Sequence, residues 1–180
     1  MTSSSTERFA LTMDELRAVV SFAAGCAEQI LPEFEAEAPD DMRPRDALSA
    51  ATLFANGAPR TNALRTSAFA AHRASKTMTA EAAQLAALAC GDAAAAAYLH
   101  PIARAAQVGH ILRAAACAAR VAELRVGGEG PGGTGGVETL ARRAFSTVPD
   151  VLRRYPPAPS GSSHLARLMG MLDATIRAQD

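Results

Sequence analysis

The chain has 180 residues, 43 of them alanine and 4% aromatic, with 18 basic and 18 acidic residues for a formal net charge of +0. A balanced chain is not a general nucleic-acid binder, which needs a basic surplus to displace counterions from phosphates. No run approaches the roughly 18 apolar residues of a membrane span, and "MTSSSTERFALT" lacks the basic start and apolar stretch of a signal peptide, so a cytoplasmic protein with no membrane partner is expected.

Residues 1–10 read as a disordered lead. "LTMDELRAVVSFAAGCAEQILPEFEAEAP" then opens a helix. Thr12 and Glu15 have capping-box spacing, and Leu16, Val19, Val20, Ala23 and Ala27 recur at helical intervals. Pro32 kinks or ends that helix. A second helix is predicted from about Pro44 to Asn56 and is stopped by Gly57. Thr61 is placed to cap a third, "NALRTSAFAAHRASK". Thr79 is placed to cap a fourth, which ends at Pro101. A fifth is predicted from about Ile102 to Val126. The short connections between the last three predict antiparallel neighbours.

"GGEGPGGTGG", Gly127 to Gly136, has seven glycines in ten residues and no Lys, so it reads as a linker and not as a phosphate-binding loop. A helix from about Val137 to Thr147, a short helical turn at "PDVLRRY", an extended "PPAPSGSS" and a last amphipathic helix follow. The expected organisation is a lead over 1–10, a main helical domain over 11–126, a linker over 127–136 and C-terminal helices over 137–180 packing on the main domain. The fold class is all-α: one domain of about seven or eight helices, as an antiparallel bundle or an array of helical hairpins. Cys26, Cys90 and Cys117 are odd in number and far apart. They read as reduced core thiols.

Candidate chemistry gathers on the central helices. Arg65, Phe69, His72 and Lys76 share one face of the third helix, with Arg73 at its edge. Asp92 lies eight residues before His100 on the fourth, and Gln107, His110 and Arg113 follow at three-residue steps on the fifth. If these helices are neighbours, His72, Asp92, Tyr98, His100, Gln107 and His110 converge with Arg65 and Arg73 in a polar pocket. Three histidines and an aspartate suit a divalent metal, but histidine spacings of 28 and 10 are not those of helical zinc sites, and no metal is expected. A His–Asp pair suits general acid–base work near neutral pH. No nucleophile motif and no dinucleotide fingerprint accompanies it, so no cofactor is expected and catalysis stays an open alternative. The plain structural readings are a helix-end role for His100, one hydrogen bond to a neighbouring helix for His110, and close helix approach at Gly109. His164 reads as a surface residue. Arg142, Arg143, Arg153, Arg154 and Tyr155 form a basic cluster that suits stacking on nucleic acid or pairing with an acidic partner. "EFEAEAPDD", Glu33 to Asp41, is an acidic run suited to a basic partner.

"RTNALRTSAFAAHRAS", "AAAAYLHPIARAAQVGHILRAAACAARVAEL" and the late "VLRRYPPAP" resemble the Imm-5-like family of bacterial immunity proteins from polymorphic toxin systems. The resemblance runs from about Leu16 to Ile176, with the glycine-rich segment a departure. Its matching polar positions are Arg60, Arg65, His72, Arg73, Tyr98, His100, Gln107 and His110. It implies an all-α cytoplasmic protein that binds and neutralises a cognate protein toxin. The other function considered is a small-molecule-binding protein, or a cofactor-independent acid–base enzyme, using the His, Asp and Tyr pocket. A helical scaffold with no pocket is the third.

Overall fold

Alanine sets how closely these helices approach, because a side chain of one methyl lets backbones pack at short range. The computed structural model describes residues 8–127, 133–144 and 147–179. Among them nine helices form: α1 (Met13–Glu28), α2 (Leu31–Glu37), α3 (Arg43–Ala55), α4 (Asn62–Ser75), α5 (Glu81–Ala95), α6 (Val108–Arg125), α7 (Gly133–Ala141), α8 (Thr147–Arg153) and α9 (His164–Arg177). The chain is all-α, and an isolated bridge between Arg8 and Ile102 is the one β-type pairing among the described residues.

α5 is the central element. It packs against α1, α2, α3, α4 and α6, and its buried residues include Ala83, Ala86, Ala87, Ala89, Cys90, Ala93 and Ala94. A helix apolar on every side is stable only when it is surrounded. α6 is the second hub, carrying α9 and α7 on the side away from α5, while α8 packs on α1 and α9. Among the described residues no helix is long and apolar enough to cross a membrane.

Local signals explain some boundaries; Thr61, expected to cap α4, is its N-cap residue but makes no side-chain cap hydrogen bond. The Thr12 N–H donates to Glu15 Oε2 at 2.8 Å and the Glu15 N–H to Thr12 Oγ1 at 3.2 Å, completing the capping box. α1 ends at Glu28, and Pro32 lies in the first turn of α2, where a missing N–H costs nothing. Gly57 follows the end of α3 at φ +106, a conformation that favours glycine. The cap of α5 differs from expectation. Ala80, and not Thr79, is its N-cap residue. No side chain caps the first turn of α5. A carboxylate from α2 instead fixes the approach to it: Glu37 accepts from the Thr79 N–H and hydroxyl, both at 2.7 Å, and from the Ala80 N–H at 3.1 Å.

Three stretches depart from the sequence reading. α6 begins at Val108 and not near Ile102. Pro101 and Ile102 pair instead with the N-terminal segment, where the Phe9 N–H donates to the Pro101 carbonyl at 3.2 Å. The same contact holds residues 8–10, read as part of a disordered lead, and the Phe9 ring meets Tyr155 edge-on at 4.9 Å. Residues 1–7 of that lead lie outside the described residues. So do 128–132 of the expected linker, and α7 starts at Gly133 within its last four positions.

Candidate functional site

α5 carries one charged side chain into its apolar surroundings. Asp92 is 1% exposed. A buried carboxylate is tolerated only when its oxygens are paired and hydrogen-bonded. Two neighbouring helices supply the donors. Arg113 of α6 donates from Nε to Oδ2 at 2.7 Å and from Nη2 to Oδ1 at 2.6 Å. His72 of α4 donates from Nε2 to Oδ1 at 3.1 Å. Asp92 thereby ties α4 to α6 through α5, and its hydrogen bond raises the Arg113 pKa further above the ordinary value.

His72 reaches Asp92 because the residue before Asp92 is Gly91. A Cβ placed on Gly91 would lie 2.3 Å from His72 Cδ2, 2.5 Å from His72 Nε2 and 3.0 Å from the Ala68 carbonyl oxygen. The glycine that permits close approach is therefore Gly91. A Cβ on Gly109, the expected position, meets nothing within 4 Å.

Above this triad lies an open cleft of about 240 Å³ between α4, the 3-10 turn Ala96–Tyr98 and α6. Its floor is Ala68, Ala95 and the Tyr98 ring, its walls are His72 and His110, and Arg65, Phe69 and Arg113 stand at its mouth. The Arg65 guanidinium stacks over Tyr98 at 4.9 Å from the ring centroid, and Arg60 does so at 5.5 Å. The Tyr98 hydroxyl donates to the Thr61 carbonyl at 3.1 Å, which fixes the ring. His110 is held below its ordinary pKa, first by burial and then by the positive charge of Arg113. Its Nδ1 is buried and has no hydrogen-bond partner among the described residues.

Of the expected pocket residues, the structure brings Arg65, His72, Tyr98 and His110 to the cleft, with Asp92 beneath it. His100 and Gln107 do not reach it. His100 is exposed in the 99–104 connection, and Gln107 is spent on it, accepting from the His100 N–H at 2.9 Å. This connection, and not a helix end, also explains the Tyr155 hydroxyl bonded to the His100 carbonyl at 2.9 Å. Arg73 is exposed on α4, away from the lining. Arg113 and Phe69 belong to the cleft and were outside the expected set. A lone aspartate among alanines was the signal for Arg113, since such an acid requires a cation on an adjoining helix.

Other polar candidates are structural. Tyr155 is 3% exposed and unavailable for stacking on a base. Arg154 pairs with Glu15 at 2.5 Å and Arg153 with Asp150 at 2.9 Å, so half of the basic cluster is engaged within the chain. His164 is half-buried, not a surface residue, with Nε2 2.6 Å from Glu123 Oε2. Cys26 and Cys90 are buried free thiols pushed up to about 12 by desolvation, and Cys117 is pushed well above its ordinary value by the same cause. Among the described residues no group of three or more His, Cys, Asp or Glu is placed to hold a metal ion.

A family model described as Imm-5 like putative immunity protein matches residues 10–129 of the chain. That segment contains α1 through α6 and every residue of the cleft, and it ends inside the glycine-rich stretch rather than near Ile176. No curated protein and no solved structure matches the chain.

Proposed function

We propose that this chain, which belongs to the Imm-5 like putative immunity protein family, neutralises a cognate protein toxin by non-covalent binding through the face around the Asp92 cleft. The observation that carries the reading is Phe69. It is 58% exposed on α4, one turn from Arg65 and one turn from Arg73. Aromatic residues and arginine are the types enriched where protein interfaces bury their cores.

The acidic run is a weaker candidate for that surface. Four of its five carboxylates are engaged within the chain: Glu33 with Arg125 at 2.7 Å, Glu35 with Arg45 at 2.5 Å, Asp41 with Arg43 at 2.5 Å, and Glu37 with Thr79 at 2.7 Å. The bacterial cytoplasm is the compartment this reading assigns, in keeping with three buried free thiols.

The test is growth protection. Cells producing the toxin are expected to survive with the wild-type chain and to die with an Arg65→Glu/Phe69→Ala variant of unchanged thermal stability. Protection by that variant equal to the wild type would overturn the surface assignment.

A second reading, a cofactor-independent small-molecule pocket, is favoured by the unpartnered Nδ1 of His110 beside the cleft. His110→Ala separates the two. A toxin binder tolerates it, and a pocket that acts through His110 does not.

A further inference from the structure

We propose that the cleft over Asp92 is a binding site for a small organic anion, a carboxylate carried on a flat apolar body. The inference stands beside the toxin reading and does not rest on it. The charge balance argues first. Asp92 is the one carboxylate of the site, and both of its oxygens are already taken by Arg113 and His72. Arg65 lies over the Tyr98 ring, with no hydrogen-bond or ion-pair acceptor among the described residues. A guanidinium carries five N–H donors, and a ring face satisfies none of them. The site thus holds two guanidinium groups against one carboxylate, and Arg65 is exposed.

Shape and polarity set the rest. At about 240 Å³ the cleft is smaller than the ~300–1,000 Å³ of drug-sized ligand pockets. One ring and one carboxylate are the appropriate size. Ala68, Ala95 and Tyr98 offer an apolar floor, and Phe69 an exposed ring beside the mouth. With the body on that floor, the carboxylate meets Arg65 on one side and the remaining N–H groups of Arg113 on the other. Paired arginine donors are the geometry that favours a carboxylate over a neutral amide.

Two sources share this chemistry: a free arylcarboxylate, and an acidic side chain next to an aromatic residue on a bound toxin. The probe is phenylacetate, titrated into the full chain by calorimetry and by NMR. Phenylacetamide serves as the neutral control and phenethylamine as the cationic one. Saturable binding of phenylacetate is expected, at least about tenfold tighter than either control. Arg65→Gln should weaken it by a similar factor. Ala95→Leu fills the floor without touching a charge and should abolish it. Binding that is absent at millimolar phenylacetate, equal for the amide, or intact in Ala95→Leu would overturn the proposal. All of these readouts use the chain alone, so failure of the toxin reading leaves them unaffected. Competition between phenylacetate and bound toxin would support the site with the toxin's carboxylate as its source. Simultaneous binding would support it with a free anion as the source.

Discussion

Gly91→Ala is the substitution whose consequence follows most directly from the geometry. Replacing a helical glycine by alanine ordinarily stabilises by about 1 kcal/mol. Here the new methyl would sit 2.3 and 2.5 Å from two atoms of the His72 ring and 3.0 Å from the Ala68 carbonyl oxygen. The ring must leave, and α4 must move away from α5. Overpacking of this kind costs about 1–3 kcal/mol. Asp92 also loses one of its three donors, at about 1 kcal/mol or more. The balance is a loss of about 1–3 kcal/mol, and about 2–4 °C per kcal/mol for a chain of this size gives a Tm lowered by roughly 2–12 °C. The assay is thermal unfolding of Gly91→Ala beside Gly25→Ala, whose methyl meets nothing within 4 Å and should stabilise. The double variant Gly91→Ala/His72→Ala removes the ring contact and should recover part of the loss, so the two changes are non-additive. A Gly91→Ala chain as stable as the wild type would refute the account of how His72 reaches Asp92.

Asp92→Ala should cost about 2–3 kcal/mol in denaturant unfolding. That is less than the ~3–5 for a fully buried pair, because Arg113 is 40% exposed and can turn to water. An unchanged midpoint would show that the triad does not hold the three helices. Glu15 has its pKa lowered to about 2, first by the Arg154 hydrogen bond and then by the Thr12 N–H. Its stabilisation should be complete above the usual 4.5 and be lost as pH falls from there toward about 2, readable as an NMR titration of its carboxyl. His110 is lowered too, but by burial and not by a partner: its folded pKa lies below the ordinary 6.5, so the unfolded chain takes up the proton first. Stability should therefore fall as pH drops below 6.5, and less steeply in His110→Gln. Glu37→Ala should lower Tm at neutral pH, and the difference from the wild type should shrink on acidification, because that carboxyl is held below its ordinary pKa by the Thr79 bonds.

The sequence was most legible where a signal acts over one turn. Thr12 and Glu15 are three residues apart, and their capping box formed as read. The α4, α5 and α6 faces were also legible as periodic patterns, which is why Arg65, His72, Asp92 and His110 came together. What periodicity does not carry is distance between helices. It could not tell Gly91, pressed against His72, from Gly109, which faces open space. Nor could it show that residues 101–102 pair with residues 8–9, in the connection that keeps His100 and Gln107 out of the expected pocket. The acidic run misled for the same reason. Its charges look solvated in sequence, but Glu37 bonds a residue 42 positions away and Glu33 one 92 positions away. Thr79 was not free to cap α5, because its N–H and hydroxyl are both held by Glu37.

A toxin seated on the face marked by Phe69 would make that ring an anchor of the interface. Calorimetric titration of the purified toxin against which the chain protects, using wild type, Phe69→Ala and Glu33→Ala/Glu35→Ala, tests it most directly. An interface anchor is worth about 2 kcal/mol or more on truncation, so Phe69→Ala should raise Kd about thirtyfold while the acidic double variant stays within a few-fold of wild type. The reverse pattern, with Phe69→Ala unchanged and the acidic variant weakened, would contradict the account.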